Sequence, residues 1–188
     1  LDEQLLINMK LENGQNASII TYKGITPKIH ESAFLCEGVR IIGDVEIGKD
    51  CSVWYNCVIR GDVHYIKIGD GVNIQDMSML HVTNGKHPLN IGNFCSIAHS
   101  VTIHGATLRD QCLIGMGALI LDGSVVGERS FVAAGALVKE GFEVPPETLV
   151  AGVPAKVIRD LRPEELDRVT QTAHNYIGYV EEYRQGLK

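Results

Sequence analysis

An aliphatic residue recurs at every sixth position over most of the chain. The positions form two series, which are Ile29, Leu35, Ile41, Ile47, Val53, Ile59, Ile68, Ile74 and Leu80, then Ile91, Ile97, Ile103, Leu108, Ile114, Ile120, Val126, Val132, Val138, Val144 and Val150. A three-residue insertion precedes Ile68 and a one-residue deletion precedes Leu108. Because every step lands on Ile, Leu or Val, the pattern predicts one buried side chain in each six-residue unit.

A second set of positions, four residues after the repeat residues, holds small side chains. These positions are Ala33, Val39, Val45, Cys51, Cys57, Val63, Val72, Ser78, Cys95, Val101, Thr107, Cys112, Ala118, Ser124, Ser130 and Ala136. Glycine follows the repeat residue in several units, as at Gly48 and Gly115, where we expect it to supply open backbone angles at turns. Three such units would make a narrow 18-residue triangular coil whose strands stack in parallel. The sequence therefore predicts a parallel β-helix of the hexapeptide type, an all-β fold.

The repeat ends at Val150, and a helical pattern follows. Arg162-Pro163-Glu164-Glu165 is a typical helix start. Apolar residues then recur at spacings of three and four, at Leu166, Val169, Ala173, Tyr176, Ile177, Val180 and Tyr183. We expect an N-terminal extension over residues 1–20, the coil over residues 21–160 and a C-terminal α-helix within residues 161–188 that packs on the coil.

Composition narrows the class of protein. The chain has 188 residues, the size of one domain, and a net charge of −6, which disfavours nucleic acid and anionic membrane surfaces as partners. No apolar run approaches the roughly 20 residues that span a bilayer, so we expect no membrane insertion. A cytoplasmic or organelle-matrix protein is predicted.

Four of the five cysteines, Cys51, Cys57, Cys95 and Cys112, occupy the small inward positions. They form no CxxC pair of the kind that binds zinc, and we interpret them as core fillers. The odd number of cysteines disfavours a disulfide framework and favours a reducing compartment.

Three histidines carry the candidate chemistry. His81 and His104 each follow a repeat residue, and counting units places them one above the other, with Arg60 in the same column one coil lower. His99 falls on the next side of the triangle, stacked over Asp76. One chain thus offers a two-histidine half-site and a separate lone histidine. Three copies around a three-fold axis would close three equivalent sites.

Three neutral imidazoles with an open fourth position are the ligand set of a catalytic zinc. Surface histidines are also common, so ordinary exposed histidines remain an alternative at this point.

The same residues resemble a known family. The strings Arg60-Gly61-Asp62, Asn73-Ile74-Gln75-Asp76, Leu80-His81-Val82, His99, Ile103-His104-Gly105 and Leu113-Ile114-Gly115-Met116-Gly117-Ala118 are similar to those of the gamma-class carbonic anhydrases. The resemblance spans about Tyr22 to Arg159. It implies a left-handed β-helix, a homotrimer, and a zinc or ferrous ion at the subunit interface, held by two histidines of one chain and one of the next.

Individual roles follow from the resemblance, residue by residue. The implied metal ligands are His81, His99 and His104. Gln75 would hydrogen-bond a metal-bound hydroxide. Arg60 and Asp62 would pair across the trimer interface, and Asn73 and Asp76 would support the site. Taken alone, Arg60 and Asp62 fit a loop salt bridge and Asn73 a polar ladder on the coil.

Two features depart from the family pattern. Its acidic proton-transfer residues are absent here, where Val63 and the loop Thr83–Pro88 carry no acid. Tyr176 is a candidate substitute if the helix packs beside the site. We expect His64 and His87, which flank the region, to be exposed turn residues.

Three functions remain open. The first is a metal-dependent carbonic anhydrase-like enzyme that hydrates CO2 to bicarbonate. The second is a hexapeptide-repeat acyltransferase that uses a coenzyme A thioester and a single unliganded histidine as base. The third is a catalytically weak, metal-binding trimeric scaffold.

Overall fold

A computed structural model describes residues 6–10 and 16–186. The strands in chain order are β1 (Leu6–Lys10), β2 (Asn16–Ile20), β3 (Lys28–Ile29), β4 (Phe34–Leu35), β5 (Arg40–Ile47), β6 (Ser52–Val53), β7 (Val58–Ile68), β8 (Asn73–Ile74), β9 (Met79–His81), β10 (Leu89–Ile91), β11 (Ser96–Ile97), β12 (Thr102–His104), β13 (Thr107–Leu108), β14 (Leu113–Ile114), β15 (Leu119–Ile120), β16 (Val125–Val126), β17 (Phe131–Val132), β18 (Leu137–Val138), β19 (Glu143–Val144), β20 (Thr148–Gly152) and β21 (Ala155–Asp160). A single helix in these residues, α1 (Pro163–Gly186), completes the fold.

The coil has three faces of stacked strands. Face one holds β3, the end of β5, the end of β7, β10, β13, β16 and β19. Face two holds β4, β6, β8, β11, β14, β17 and β20, and face three holds β2, the start of β5, the start of β7, β9, β12, β15 and β18. Pairing between successive coils is parallel, as predicted for a parallel β-helix.

The core is a column of repeat residues. Ile41 lies beside Ile59, and Leu80 lies beside Ile103 one coil further on. These four side chains are fully buried, as the six-residue pattern predicted.

Most of the small inward positions are buried as well, including Cys95, whose thiol donates to the Arg109 carbonyl over 3.0 Å. Ala33 and Val63 are half-buried against the core. Thr107 is half-buried directly before the buried Leu108, so the one-residue deletion turns it outward and Ala106 is buried instead. The predicted register of the coil is therefore confirmed except at Thr107, where the expectation of an inward side chain is wrong.

The glycines after the repeat residues serve a purpose other than the one we expected. Gly48 and Gly115 are not among the residues with positive φ. A Cβ at Gly48 would lie 2.7 Å from the Gly69 carbonyl oxygen, and one at Gly115 would lie 2.5 Å from the Ala134 nitrogen. Glycine is required there because the backbones of successive coils approach closely, and the expectation of open angles is wrong.

The strand β2 belongs to the stack, although we expected residues 1–20 to form a separate extension. It pairs in parallel with β5, and its Ala17 and Ile19 are buried in the main core. Residues 1–5 and 11–15 of the expected extension lie outside the described residues.

The helix packs on the coil, as the apolar spacing predicted, and the face that it covers is face two. Its Val180 packs with Phe34 and Trp54 at one end of the face, and its Val169 packs with Leu113 nearer the other end. The Arg162 amide donates to the Glu165 side chain over 2.9 Å, which caps the first turn. Within the part of the chain that the structure describes, no helix is long and apolar enough to cross a membrane.

Candidate functional site

Two histidines lie one above the other at the corner between face three and face one, which we call the paired-histidine corner. His81 ends β9 and His104 ends β12, and the two residues are in register in the sheet. Each follows a fully buried repeat residue that fixes its height on the coil. His81 Nδ1 lies 3.0 Å from His104 Nε2. The stacking predicted from unit counting is present.

A carboxylate occupies the outer side of each ring. Asp62 Oδ1 lies 3.0 Å from His81 Nε2, and Asp122 Oδ1 lies 2.7 Å from His104 Nδ1. An ionised carboxylate only accepts hydrogen bonds, so each outer ring nitrogen must carry the hydrogen. In the neutral rings, the two inner nitrogens then both present lone pairs to one another. Such a pair is suited to sharing a cation.

Hydrogen bonds keep the two outer carboxylates, Asp62 and Asp122, ionised. Burial would raise the pKa of Asp62, but hydrogen bonds from His81 and Arg60 outweigh it, and the pKa is lowered. Burial would likewise raise the pKa of Asp122, which the hydrogen bonds from Thr83 and His104 lower instead. Burial and the nearby Arg60 charge lower the pKa of His81 despite the neighbouring Asp62. His81 is therefore neutral at neutral pH, the form that binds a metal.

His99 lies at the corner between face two and face three, which we call the His99 corner. Its Nδ1 is 2.8 Å from Asp76 Oδ2, the residue predicted to stack beneath it. The side chain is 47% exposed. Among residues 6–10 and 16–186, no three histidine, cysteine, aspartate or glutamate side chains converge to hold a metal ion. One chain thus carries two separated parts of the predicted ligand set.

A buried polar ladder supports Gln75 on face two. Gln75 Nε2 donates to Asn73 Oδ1 over 3.0 Å, and Asn73 Nδ2 donates to Ser96 Oγ over 2.8 Å. Asn73 and Gln75 are both almost fully buried. The ladder that we weighed as an alternative role for Asn73 is present, and it also fixes the position of Gln75.

Arg60 and Asp62 form an ion pair within one chain, with Arg60 Nη1 2.5 Å from Asp62 Oδ2. This is the salt bridge considered from sequence, but both residues lie in strand β7 and the expected loop position is wrong. Pairing across a subunit interface remains a prediction.

Tyr176 lies on the helix over face two. Its ring packs edge-on against Trp54, with the centroids 5.6 Å apart. Burial, the charge of Asp76 and the neighbouring Tyr179 raise the pKa of its hydroxyl. The helix therefore lies on the His99 side of the coil, and Tyr176 as a proton-transfer residue remains a prediction.

Sequence reasoning missed Asp122 and the packing of His87. Ile103 pairs with Ile120, so Leu121 follows Ile120 as His104 follows Ile103. Asp122 lies one place further on, in the turn. His87, expected to be exposed, is half-buried against Gly105. Its loop closes through a bridge between Thr83 and His87. Asp122 follows His104 by eighteen residues, the length of a regular coil, but Ile103 pairs with Ile120 after only seventeen, so the spacing did not single Asp122 out.

Comparisons with known proteins place these features in context. A family model, the bacterial transferase hexapeptide (six repeats), matches residues 26–61. The carbonic anhydrase of Geobacillus kaustophilus is 46% identical over 166 residues, which are 88% of this chain and 91% of that protein. Gamma carbonic anhydrase 1, mitochondrial, of Arabidopsis thaliana is 44% identical over 80% of this chain, and the chain spans only 56% of that protein's length.

A solved structure matches the coil closely. The product of the BC4754 gene of Bacillus cereus, provisionally described as an acetyltransferase, is 42% identical. It superposes with a TM-score of 0.85 over 88% of this chain and 95% of that chain.

Proposed function

The chain belongs to the gamma carbonic anhydrase family, and from this premise we propose that it is a metal-dependent carbonic anhydrase-like enzyme that interconverts CO2 and bicarbonate as a homotrimer. One observation carries this proposal. His81 and His104 are stacked with their inner nitrogens 3.0 Å apart and their outer nitrogens held by carboxylates.

The donor set fits a zinc or ferrous ion, since imidazole is a ligand that suits both. His81 and His104 would supply two ligands from one chain, and His99 of a neighbouring chain would supply the third. When bound, such an ion supplies the reaction with a hydroxide near neutral pH, because it lowers the pKa of a coordinated water to about 7. The chain's own residues then hold the ligands and orient the reactants.

The surface around His99 supports an intersubunit site. Met77 is 68% exposed and Met79 45% exposed, and Met116, one coil above His99, is 58% exposed. Three exposed thioethers around a half-exposed histidine form an apolar surface of the kind that subunit contacts bury. We propose that this surface faces the paired-histidine corner of the next subunit.

Gln75 would act from the same side as His99. Its amide is anchored through Nε2 on Asn73, which leaves its carbonyl oxygen and its second N–H to orient the oxygen nucleophile. Asp76 holds Nδ1 of His99 and so leaves its Nε2 free as a ligand. We place both residues in the site as positioning groups.

Arg60 would link the half-sites. Its guanidinium has five N–H donors, of which the contact with Asp62 uses one, and its side chain is 41% exposed. The remaining donors are available to a neighbouring subunit, so the intrachain pair and the pairing across the interface are compatible.

Proton export would run without the family's acidic residues. We propose Tyr176 as the substitute, acting on the side of the site that Asp76 and His99 form. The raised pKa of Tyr176 keeps its hydroxyl protonated at neutral pH. Tyr176 would therefore relay a proton and would not act as a deprotonated general base. We place the enzyme in the cytoplasm or an organelle matrix, in keeping with the mitochondrial relatives.

The provisional description of the Bacillus cereus relative favours one second candidate, an acyltransferase. A histidine base needs a ring nitrogen that is free to take a proton. In this chain the inner nitrogens of His81 and His104 face each other over 3.0 Å, so the exposed His99, whose Nδ1 is held by Asp76, is the histidine with room for this role. Titration of the protein with acetyl coenzyme A distinguishes the two functions, because only an acyltransferase is expected to bind the thioester.

Metal analysis combined with a CO2 hydration assay tests the preferred function. After reconstitution with Zn2+, or with Fe2+ under anaerobic conditions, we expect one metal ion per chain. Hydration activity should disappear with a chelator and return with the metal. The function is wrong if the reconstituted protein holds no more metal than a His81→Ala variant. Stoichiometric metal with no hydration activity would instead identify a metal-binding scaffold.

A further inference from the structure

Asp122 is held on both carboxylate oxygens at the paired-histidine corner. Its Oδ1 lies 2.7 Å from His104 Nδ1, and its Oδ2 accepts a hydrogen bond from Thr83 Oγ1 over 2.6 Å. The carboxylate is thus fixed in the orientation that faces the ring. Its position in the turn after β15 was not singled out by the sequence repeat.

Gly105 provides the space that this carboxylate occupies. A Cβ built on Gly105 would lie 2.2 Å from Asp122 Oδ1 and 2.7 Å from the Cβ of His87. The backbone of Gly105 is also held, since its amide donates to the His81 carbonyl over 3.0 Å and its φ is 55°. No other residue could stand at position 105 without displacing the carboxylate from His104.

We propose that Asp122 is a positioning residue for His104, which it holds in the Nδ1–H tautomer so that Nε2 faces the metal site. Thr83 orients the carboxylate and Gly105 makes room for it. The metal-binding part of this assignment rests on the proposed function; the tautomer does not.

The chemistry of the contact explains why it matters. A carboxylate that accepts a hydrogen bond from the outer N–H fixes the rotation of the imidazole ring. It also makes the inner nitrogen a better ligand, because that nitrogen becomes more basic. Loss of such a partner typically lowers metal affinity by about 10- to 100-fold. Asp62 faces His81 in the same way but through the other ring nitrogen. The two carboxylates together direct His81 Nδ1 and His104 Nε2 toward each other.

Nitrogen-15 NMR of metal-free protein labelled at histidine tests the tautomer directly. The wild type should show His104 with its hydrogen on Nδ1, and Asp122→Ala should lose this preference. Asp110→Asn is the matched control, because Asp110 accepts hydrogen bonds from Asn93 and contacts no histidine in the contacts that the structure gives. A wild-type His104 protonated on Nε2, or a tautomer unchanged in Asp122→Ala, overturns the assignment.

Competition with a chelator for Zn2+ tests the effect on the metal. Asp122→Ala should weaken binding by about 10- to 100-fold, and Asp110→Asn should not change it. If Asp122→Ala does not fold, Asp122→Asn, which keeps the shape but not the charge, should show the same loss in smaller measure. Unchanged affinity in a folded Asp122 variant overturns the positioning role. A wild type that binds no Zn2+ but shows the Nδ1–H tautomer refutes the proposed function and leaves the Asp122 contact intact.

Discussion

The two histidine-bearing corners of the coil differ in how far one chain completes them. At the paired-histidine corner, the side chains of His81 and His104 are 16% and 31% exposed and have partners on both ring nitrogens. At the His99 corner, the side chain is 47% exposed and has one carboxylate partner, and the exposed Met77, Met79 and Met116 lie on the neighbouring coils. At the paired-histidine corner, one chain holds both histidines in place. At the His99 corner, a neighbouring subunit would have to complete the site. This difference is the basis of our proposal that the metal site forms only on assembly.

Removing a histidine from either corner should have the largest effect. His81→Ala and His99→Ala should each lower metal affinity by more than about 100-fold, since each removes a ligand. The metal-free variants should differ in stability. His81→Ala removes the partly buried hydrogen bond to Asp62 and should cost about 1–3 kcal/mol, whereas His99→Ala removes an exposed pair and should cost under about 1 kcal/mol.

Chelator competition and chemical denaturation measure these two quantities. Wild-type metal affinity in His99→Ala would show that His99 is not a ligand. Equal loss of metal-free stability in both variants would contradict the contrast between the corners.

A charge in the surface formed by Met77, Met79 and Met116, the methionine surface, should have the next largest effect on metal binding and assembly. Met116→Glu would bury an unpaired carboxylate against the neighbour, so the trimer should dissociate at concentrations about 10- to 100-fold higher than the wild type. Ile158→Glu is the matched control, because Ile158 is similarly exposed, at 55%, on the β20–β21 hairpin. Sedimentation equilibrium gives both constants. A trimer weakened equally by both changes would show that the methionine surface is not the interface.

Enlarging a side chain inside the coil should have the smallest effect and should affect neither corner specifically. Cys95 is fully buried, so Cys95→Leu should overpack the coil and cost roughly 1–3 kcal/mol of unfolding free energy. Thr107→Leu, at a half-buried outward position, is the control and should cost less than about 0.5 kcal/mol. Denaturant titration compares them. A Cys95→Leu variant as stable as the wild type would show that the inward register is wrong.

The repeat made the core and the stacking predictable from sequence. Each coil buries one aliphatic residue per face, so a six-residue period specifies which side chains point inward, as for Ile41, Ile59 and Leu80. Counting the same units placed His104 over His81 and His99 over Asp76. A regular lattice carries this information because each residue's height and face follow from its number alone.

The turns could not be predicted in the same way. The one-residue deletion put Asp122 beyond the regular column, and the loop Thr83–Pro88 folds back to place His87 on Gly105. Which nitrogen of His81 faces Asp62 depends on ring rotation, which spacing does not encode. The first two contacts arise where the loop Thr83–Pro88 packs against the turns of the following coils.

Complementation between two inactive variants tests the intersubunit site most directly. His81→Ala chains and His99→Ala chains are each expected to lose every site. When the two are unfolded and refolded together in equal parts, each mixed trimer should have one site that joins an intact His81–His104 pair to an intact His99, which is about a quarter of all sites in the random mixture. Metal per trimer, with each variant refolded alone as control, should therefore recover to about a quarter of the wild-type value. Mixed trimers verified by mass spectrometry that hold no more metal than these controls would contradict a site shared between chains.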